Sequence, residues 1–250
     1  MKSPFFWFSI LVLIILGGVF YFFIFSDFFQ IKKIIITGEE KVSMENIKST
    51  VESELGKKIL FFKTKSIFLV NINKIREDLL KKIPPIEEVK IKREFPDALS
   101  LAVIERKEIG IFCRDIACFL LDGGGVIFEP ALTESPLLRF QNQTFNEELN
   151  LGKEVIEKET VKSILKIESK LKEDLKIPLK EFSIMPENWL NVKTNEGWEV
   201  FFNLKGDLNW QMTELAAILE KRIPPEKRKN LKYIDLRFKK VYIFPETYNQ

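Results

Sequence analysis

Cys113 and Cys118 are the two residues whose type and spacing offer the clearest chemistry in this chain. They lie on either side of the stretch from Arg114 to Ala117 and between two apolar stretches, a pattern that predicts a hairpin with one cysteine on each arm. If the arms pair directly, a cross-strand disulfide is feasible, and a pair of buried free thiols is the alternative. Two thiols without an imidazole do not form a usual zinc site, so the pair is a candidate disulfide.

The composition argues against several classes of function. The chain has no histidine, which removes the commonest general base and the commonest metal ligand. The glycines at 123–125 lie between two strand signals rather than before a helix, so they do not fit a phosphate-binding loop. No two carboxylates stand out as a glycosidase pair. The 39 basic and 36 acidic residues are mixed along the chain, so no basic face argues for nucleic acid. We therefore expect no enzyme, no cofactor and no metal site.

An apolar run from Phe5 to Phe25 sets the cellular context of the chain. As an α-helix it would span roughly 31 Å, enough to cross a hydrocarbon core of about 30 Å once. A cleavable signal is the alternative, but the run ends in Phe20 to Phe25 without the small residues of a cleavage site. We expect an uncleaved single-pass membrane anchor, with the N-terminus in the cytoplasm and the rest of the chain outside.

The segment that follows the apolar run predicts a compact domain, because apolar residues alternate first with helical and then with strand spacing. Its elements are a strand at 31–38, a helix from Ser43 as N-cap to Gly56, an apolar connector at 59–62, a helix at 73–82, and two strands joined by a turn at 95–97. The expected solution is a three-stranded sheet with two helices on one face.

From residue 108 onward the pattern changes to short strands separated by turn residues. The predicted elements are helices at 159–175 and 207–222, the second with Trp210 facing the core, and strands at 179–185, 189–194, 198–204, 231–238 and 241–244. The fold class is therefore α+β: an N-terminal transmembrane helix, a β-α-α-β-β domain, and a second α+β domain with a mainly antiparallel sheet.

Eight short strings, in their order and spacing behind one apolar run, resemble the FtsQ family of bacterial cell division proteins, called DivIB in some lineages. The strings are Ile36-Thr37-Gly38, Val42-Ser43, residues 55–62, 91–97 and 103–107, Leu120-Leu121-Asp122, residues 125–129, and residues 233–238. The resemblance implies a cytoplasmic tail at 1–4, a transmembrane helix at 5–25, a POTRA domain at 28–107 and an FtsQ-type β domain at 108–250.

The same resemblance implies a non-enzymatic scaffold of the division septum. Such a protein binds FtsB and FtsL, links early division proteins to those that control septal peptidoglycan synthesis, and meets other divisome proteins through its POTRA domain. The tail of FtsB would add by β-augmentation at the strands from Tyr233 to Phe244, with Arg237 pairing with a partner carboxylate and Phe238 beside it as an aromatic contact. The predicted partner-binding residues are Tyr233, Asp235, Arg237, Phe238, Lys240, Val241 and Tyr242.

Other interpretations remain open on the residues alone. Arg237 could be an ordinary solvated strand residue, and strand alternation could bury Phe238 in the core. The chain could also be a POTRA-bearing transport or secretion component, which predicts repeated modules, or a membrane-anchored wall enzyme, which predicts two essential carboxylates. A generic anchored envelope domain is a further alternative, and it would not need to accumulate at midcell.

Overall fold

The computed structural model describes residues 4–56 and 64–246, and the chain divides into two compact units, Met1–Arg106 and Lys107–Gln250. The first helix, α1, is Pro4–Phe25, and its segment Phe5–Phe25 is long and apolar enough to cross a membrane. The expected connector at 59–62 lies outside the described residues, as does the expected tail apart from Pro4.

The first unit has the predicted order of strand, two helices and two strands. Its elements after α1 are β1 (Lys33–Thr37), α2 (Met44–Leu55), α3 (Ile72–Lys82), β2 (Ile86–Glu94) and β3 (Ala98–Glu105). β3 lies in the centre of the sheet, parallel to β1 and antiparallel to β2. Ile47 and Val51 of α2 share one buried core with Leu79 of α3 and with Leu99 and Leu101 of β3. Both helices therefore pack on the same face of the sheet.

Caps define where α2 and α3 begin. Asn71 caps α3, because its Oδ1 accepts a hydrogen bond from the Lys74 amide at 3.0 Å. Ser43 is the N-cap residue of α2, as predicted, although its side chain makes no cap hydrogen bond. The Glu105 carboxylate of β3 instead holds the loop that precedes α2.

Glu105, at the end of β3, binds the loop between β1 and α2. Its Oε1 accepts hydrogen bonds from the backbone amides of Glu40 at 2.7 Å and Val42 at 2.9 Å, and its Oε2 accepts from the Lys41 amide at 2.9 Å. Burial raises the pKa of the Glu105 carboxyl, but the three amide donors and the charge of Lys41 outweigh burial and leave the pKa below its usual value.

The second unit is a nine-stranded sheet with two helices on one face. Its elements are β4 (Glu108–Arg114), β5 (Ala117–Asp122), β6 (Ile127–Ala131), β7 (Arg139–Asn142), α4 (Lys158–Ser169), β8 (Leu179–Met185), β9 (Trp189–Thr194), β10 (Glu199–Asn203), α5 (Leu208–Lys221), β11 (Tyr233–Asp235) and β12 (Tyr242–Phe244). The strand order is β12-β11-β10-β9-β8-β7-β4-β5-β6, mostly antiparallel, so the predicted α+β class is confirmed. Val161 and Ile164 of α4 and Leu215 of α5 pack on the same core as the sheet.

Three boundaries in the second unit differ from the prediction. The helix at 159–175 ends at Ser169 and continues as one π-helical turn over Lys170–Asp174, in which the Leu175 amide donates to the Lys170 carbonyl at 3.2 Å. This wider turn keeps Leu171 in the core. The strands expected at 231–238 and 241–244 are shorter, because the chain bends between Leu236 and Val241.

The cysteine hairpin forms as β4 and β5. Cys113 lies opposite Cys118, and the two form a disulfide with their Cα atoms 4.2 Å apart. Both side chains are buried and pack with Ile111. In the chain-entropy model, closing so short a loop stabilises the fold by roughly 2 kcal/mol. In the glycine turn after β5, the Asp122 carboxylate accepts hydrogen bonds from the amides of Gly124 and Val126.

We expect Glu105→Gln to lower the free energy of unfolding by about 1 to 2 kcal/mol at pH 7, because a neutral amide oxygen replaces a charged acceptor of three hydrogen bonds. The pKa of Glu105 is lower in the folded protein than in the unfolded chain. Its contribution is therefore complete above the unfolded value of about 4.5 and is lost as the pH falls through the folded value. Denaturant unfolding at a series of pH values measures both effects.

The matched control is Glu88→Gln, an exposed glutamate on β2 of the same sheet, for which we expect little change. A difference between wild type and Glu105→Gln that stayed constant down to strongly acidic pH would contradict the role of the Glu105 charge.

We expect Cys113 and Cys118 of the unreduced protein to remain unmodified by iodoacetamide under denaturing conditions. After reduction, each should gain one carbamidomethyl group. Mass spectrometry of the peptide that spans the hairpin measures this directly, and two modified cysteines without reduction would contradict the disulfide.

Candidate partner-binding site

β6 and β12 form the two ends of the nine-stranded sheet. At the β6 end, the Ile127 amide donates to the Lys153 carbonyl at 3.0 Å, and the Ile127 carbonyl accepts from the Gly152 amide at 2.7 Å. Pro130 in the same strand has no N–H to offer. The loop therefore covers the start of β6, and proline blunts the strand further along. β12 forms the opposite end of the sheet, the kind of edge beside which an extended peptide can add.

The end formed by β11 and β12 depends on a crossover through α5. The chain leaves β10, passes through α5 and returns as β11, parallel to β10. The Glu199 amide donates to the Lys232 carbonyl and the Leu236 amide donates to the Phe201 carbonyl, each at 2.9 Å. Ile234 and Ile243 are buried in the core below α5. The inner side of both strands is thus anchored, and their other side chains lie on the opposite face.

Aromatic side chains line that opposite face, because residues that alternate with buried ones point away from the core. We call this set the aromatic face: Trp189 of β9, Phe201 of β10, Tyr233 of β11, Tyr242 and Phe244 of β12, and Phe238 of the turn between β11 and β12. Tyr233 stacks on Phe244 with ring centroids 5.6 Å apart and meets Phe201 edge-on at 5.8 Å. Phe244 is half-exposed.

Phe238 extends the aromatic face into the turn. Its ring centroid lies 6.4 Å from that of Trp189 and 6.3 Å from that of Tyr242. Phe238 and Tyr242 are each half-exposed, so the interpretation that buries Phe238 in the core is wrong. Half-exposed rings that already contact one another offer apolar area at a low cost in side-chain entropy.

Arg237 lies in the middle of the aromatic face. Its guanidinium carbon is 4.3 Å from the ring centroid of Trp189, 4.9 Å from that of Phe201 and 5.4 Å from that of Phe238. These positions suit cation–π attraction. The arginine therefore holds three rings from two strands and the turn in one cluster.

Asp235 is the ionic partner of Arg237. Its Oδ1 accepts from Arg237 Nε at 2.9 Å, and its Oδ2 accepts from Nη2 at 2.6 Å. Oδ1 also accepts from the Arg237 amide at 3.0 Å, which turns the backbone and ends β11 early. The hydrogen bonds that Arg237 donates to the Asp235 carboxylate raise the pKa of Arg237, although burial opposes them, so the arginine is charged at any physiological pH.

The sequence prediction assigned Arg237 to a carboxylate of a partner, and the structure places it in an ion pair within the chain. Two of its five N–H donors bind Asp235, and the other three have no hydrogen bond within the described part of the chain. The side chain is 18% exposed. A second carboxylate would have to approach the remaining edge of the guanidinium.

The other predicted residues occupy different positions around this cluster. Lys240 places its Nζ 5.6 Å from the ring centroid of Tyr242. Val241 is partly buried against the core, and Asp235 is buried. These two residues therefore stabilise the cluster and do not form its exposed surface. Sequence reasoning missed Trp189 and Phe201, which alternation could have placed on the outer face but which only the register brings next to Arg237.

A groove of about 470 Å³ opens beside Arg237, between the start of α5 and the turn after β11. Trp210, Leu236 and Phe238 are among its lining residues. Trp210 was expected in the core, but Asp207 caps α5 by accepting hydrogen bonds from the amides of Asn209 and Trp210, and this start leaves the indole only partly buried. The groove is mostly apolar and is wide enough for a large side chain of another protein.

Residues 4–56 and 64–246 contain no cluster of three or more potential metal ligands. The arrangement instead combines an end strand, a half-exposed aromatic face, a charged arginine and an apolar groove. Those are features of a peptide-binding surface.

Comparisons with known proteins agree with this division of the chain. A family model described as "POTRA domain, FtsQ-type" matches residues 29–106. A second, described as "Cell division protein FtsQ/DivIB, C-terminal", matches residues 115–237. Arg237 is thus the last residue of the match, and Phe238, Lys240, Val241 and Tyr242 follow it. A search of curated proteins found no match to the chain.

We expect Asp235→Asn to lower the free energy of unfolding by about 2 kcal/mol, because the neutral amide offers one acceptor oxygen instead of two and leaves the mostly buried guanidinium without a counter-charge. The control is Glu159→Gln, whose ion pair with Lys162 is exposed, and for which we expect a change below about 0.5 kcal/mol. Denaturant unfolding of both variants measures the difference. Equal effects would mean that the Asp235–Arg237 pair contributes no more than a surface pair.

Proposed function

We propose that this chain, which belongs to the FtsQ/DivIB family of cell division proteins, is a non-enzymatic scaffold that binds FtsB- and FtsL-like partners at the division septum. Through them it would link early division proteins to the control of septal peptidoglycan synthesis. The observation that carries the proposal is the contrast between the two ends of the nine-stranded sheet. One end is closed by Pro130 and the loop at 152–153, and the other presents the aromatic face.

The partner would bind as an extended segment beside β12. Backbone hydrogen bonds would add a strand to the sheet, and alternate side chains of the partner would lie over the half-exposed rings of Tyr242 and Phe244. Phe238 and the groove next to it would take a larger apolar side chain. A buried aromatic contact in a pocket is the usual site of the strongest energy in such interfaces.

Charge favours a partner segment that carries carboxylates. The turn contributes Lys239 and Lys240 in addition to Arg237, whose charge is balanced by that of Asp235. An acidic residue of the partner could use the three remaining N–H donors of Arg237, where a charge-assisted hydrogen bond would fix the register of the added strand.

The setting that we propose is a bacterial cell membrane, with the N-terminus in the cytoplasm and both domains outside. The buried Cys113–Cys118 disulfide supports this orientation, because structural disulfides persist in oxidising compartments outside the cytoplasm. The POTRA domain would then be free to contact other divisome proteins.

We expect Phe238→Ala and Tyr242→Ala each to weaken capture of the host's FtsB-like protein by about 5- to 30-fold, because each removes roughly 1 to 2 kcal/mol of aromatic contact. The full chain in nanodiscs is titrated with the partner, and a thermal melt of each variant checks the fold. Half-exposed side chains can be truncated without opening the core, unlike removal of β11 and β12.

The control is Ile116→Ala, since Ile116 is 91% exposed at the tip of the cysteine hairpin, far from β12 in the strand order. It should bind like wild type. Unchanged affinity of both aromatic variants, with their melts intact, would remove the aromatic face as the binding site.

A further inference from the structure

The last turn of α1 is hydrogen-bonded to the POTRA domain. The carbonyl of Phe23 accepts from Ser66 Oγ at 3.1 Å. The carbonyl of Ile24 accepts from Thr64 Oγ1 and from Gln30 Nε2, each at 2.9 Å. Carbonyls in a final helical turn lack partners within the helix, so these side chains complete its C-terminal end. The domain therefore contacts the end of the helix directly, through side-chain hydrogen bonds.

Six phenylalanines form a continuous cluster at this junction. We call it the membrane-proximal aromatic cluster, and its members are Phe22, Phe23, Phe28, Phe29, Phe68 and Phe95. Phe68 contacts Phe23 at 5.3 Å and Phe95 at 5.4 Å between ring centroids. The chain of contacts therefore starts in α1 and ends in the turn between β2 and β3. Phe68 is 42% exposed and Phe95 is 60% exposed.

Specific hydrogen bonds place Phe68 and Phe95 at this end of the domain. Arg93 donates from Nε to the Ile67 carbonyl at 2.7 Å and from Nη2 to the Val70 carbonyl at 2.8 Å, which holds the segment around Phe68 on β2. The Asp97 carbonyl accepts from the Lys32 amide at 2.8 Å, which holds the turn of Phe95 at the start of β1. Hydrogen bonds within the folded domain therefore fix the positions of both rings.

The depth of the cluster follows from the length of α1. A helix over residues 5–25 spans roughly 31 Å, so its last turn lies at the boundary between hydrocarbon and headgroups when the helix crosses a bilayer. Rings that touch Phe23 lie within about one ring diameter of that boundary. Lys32 and Lys65 are exposed next to them, where ammonium groups can reach phospholipid phosphates.

We propose that Phe68 and Phe95 insert into the outer interface of the phospholipid bilayer and so fix the orientation of the POTRA domain on the membrane. The proposal rests on the membrane anchoring proposed above. Two exposed rings continuous with a membrane helix bury apolar area at the interface that water would otherwise cover. The domain then has contacts with the membrane beside the helix as well as through it, and its edges face fixed directions.

A nitroxide spin label on Phe95→Cys tests this in the full chain. The native cysteines are in a disulfide, so the label attaches to the new thiol alone. The protein is reconstituted into vesicles of phosphatidylcholine and phosphatidylglycerol, and vesicle flotation verifies anchoring. Collision of the label with oxygen, which concentrates in lipid, is compared with collision with a water-soluble nickel complex.

Ile104→Cys carries the control label. Ile104 is an exposed apolar residue on the same strand that follows the turn of Phe95, about 20 Å further along β3 at roughly 3.3 Å per residue. We expect the ratio of oxygen to nickel collision rates to be at least about threefold higher at position 95 than at position 104. Capture of the FtsB-like partner is measured on the same vesicles.

Equal ratios at the two positions in floated vesicles would overturn the insertion of Phe95, whatever the capture result. A label at position 95 that is shielded from both oxygen and nickel would also overturn it, because it would show packing against protein instead of lipid. A high ratio at position 95 together with loss of partner capture would keep this inference and count against the proposed scaffold function alone.

Discussion

The parallel pairing of β11 with β10 is the constraint on which the rest of the C-terminal site depends. Because β11 runs parallel to its neighbour, the chain must cross over through α5 before it can enter the sheet. The crossover buries Ile234 and Leu236 beneath the helix and leaves β12 at the end of the sheet. The aromatic face, the turn and the groove all follow from that placement.

The Asp235–Arg237 pair shows how a charged group can organise an apolar surface. The carboxylate is buried, and its hydrogen bonds with the guanidinium hold the guanidinium carbon 4.3 Å from the ring centroid of Trp189 and 4.9 Å from that of Phe201. A buried ion pair is weak support for stability by itself, since desolvation offsets much of the attraction. Here its structural effect is local order: it ends β11, sets the turn, and presents Phe238 to solvent.

The spacing of apolar residues predicted many of the helices and strands. Most of what it missed depends on contacts between side chains and backbone that this spacing does not encode. The strands at 179–185 and 189–194 have their predicted bounds, because strict alternation sets both the strand and its buried face. The strand expected to reach Phe238 ends at Asp235, because a side chain binds the backbone two residues later, which alternation does not encode. Arg237 was assigned to a partner when considered alone, whereas the structure supplies its first carboxylate from two residues away.

Hydrogen exchange of the full chain with and without the FtsB-like partner tests the central claim most directly. If the partner adds a strand beside β12, backbone amides of Tyr242–Phe244 and of the preceding turn should gain protection, while the β6 end at Ile127–Ala131 stays unchanged. New protection confined to the β6 end or to the POTRA domain would contradict binding at the C-terminal end of the sheet.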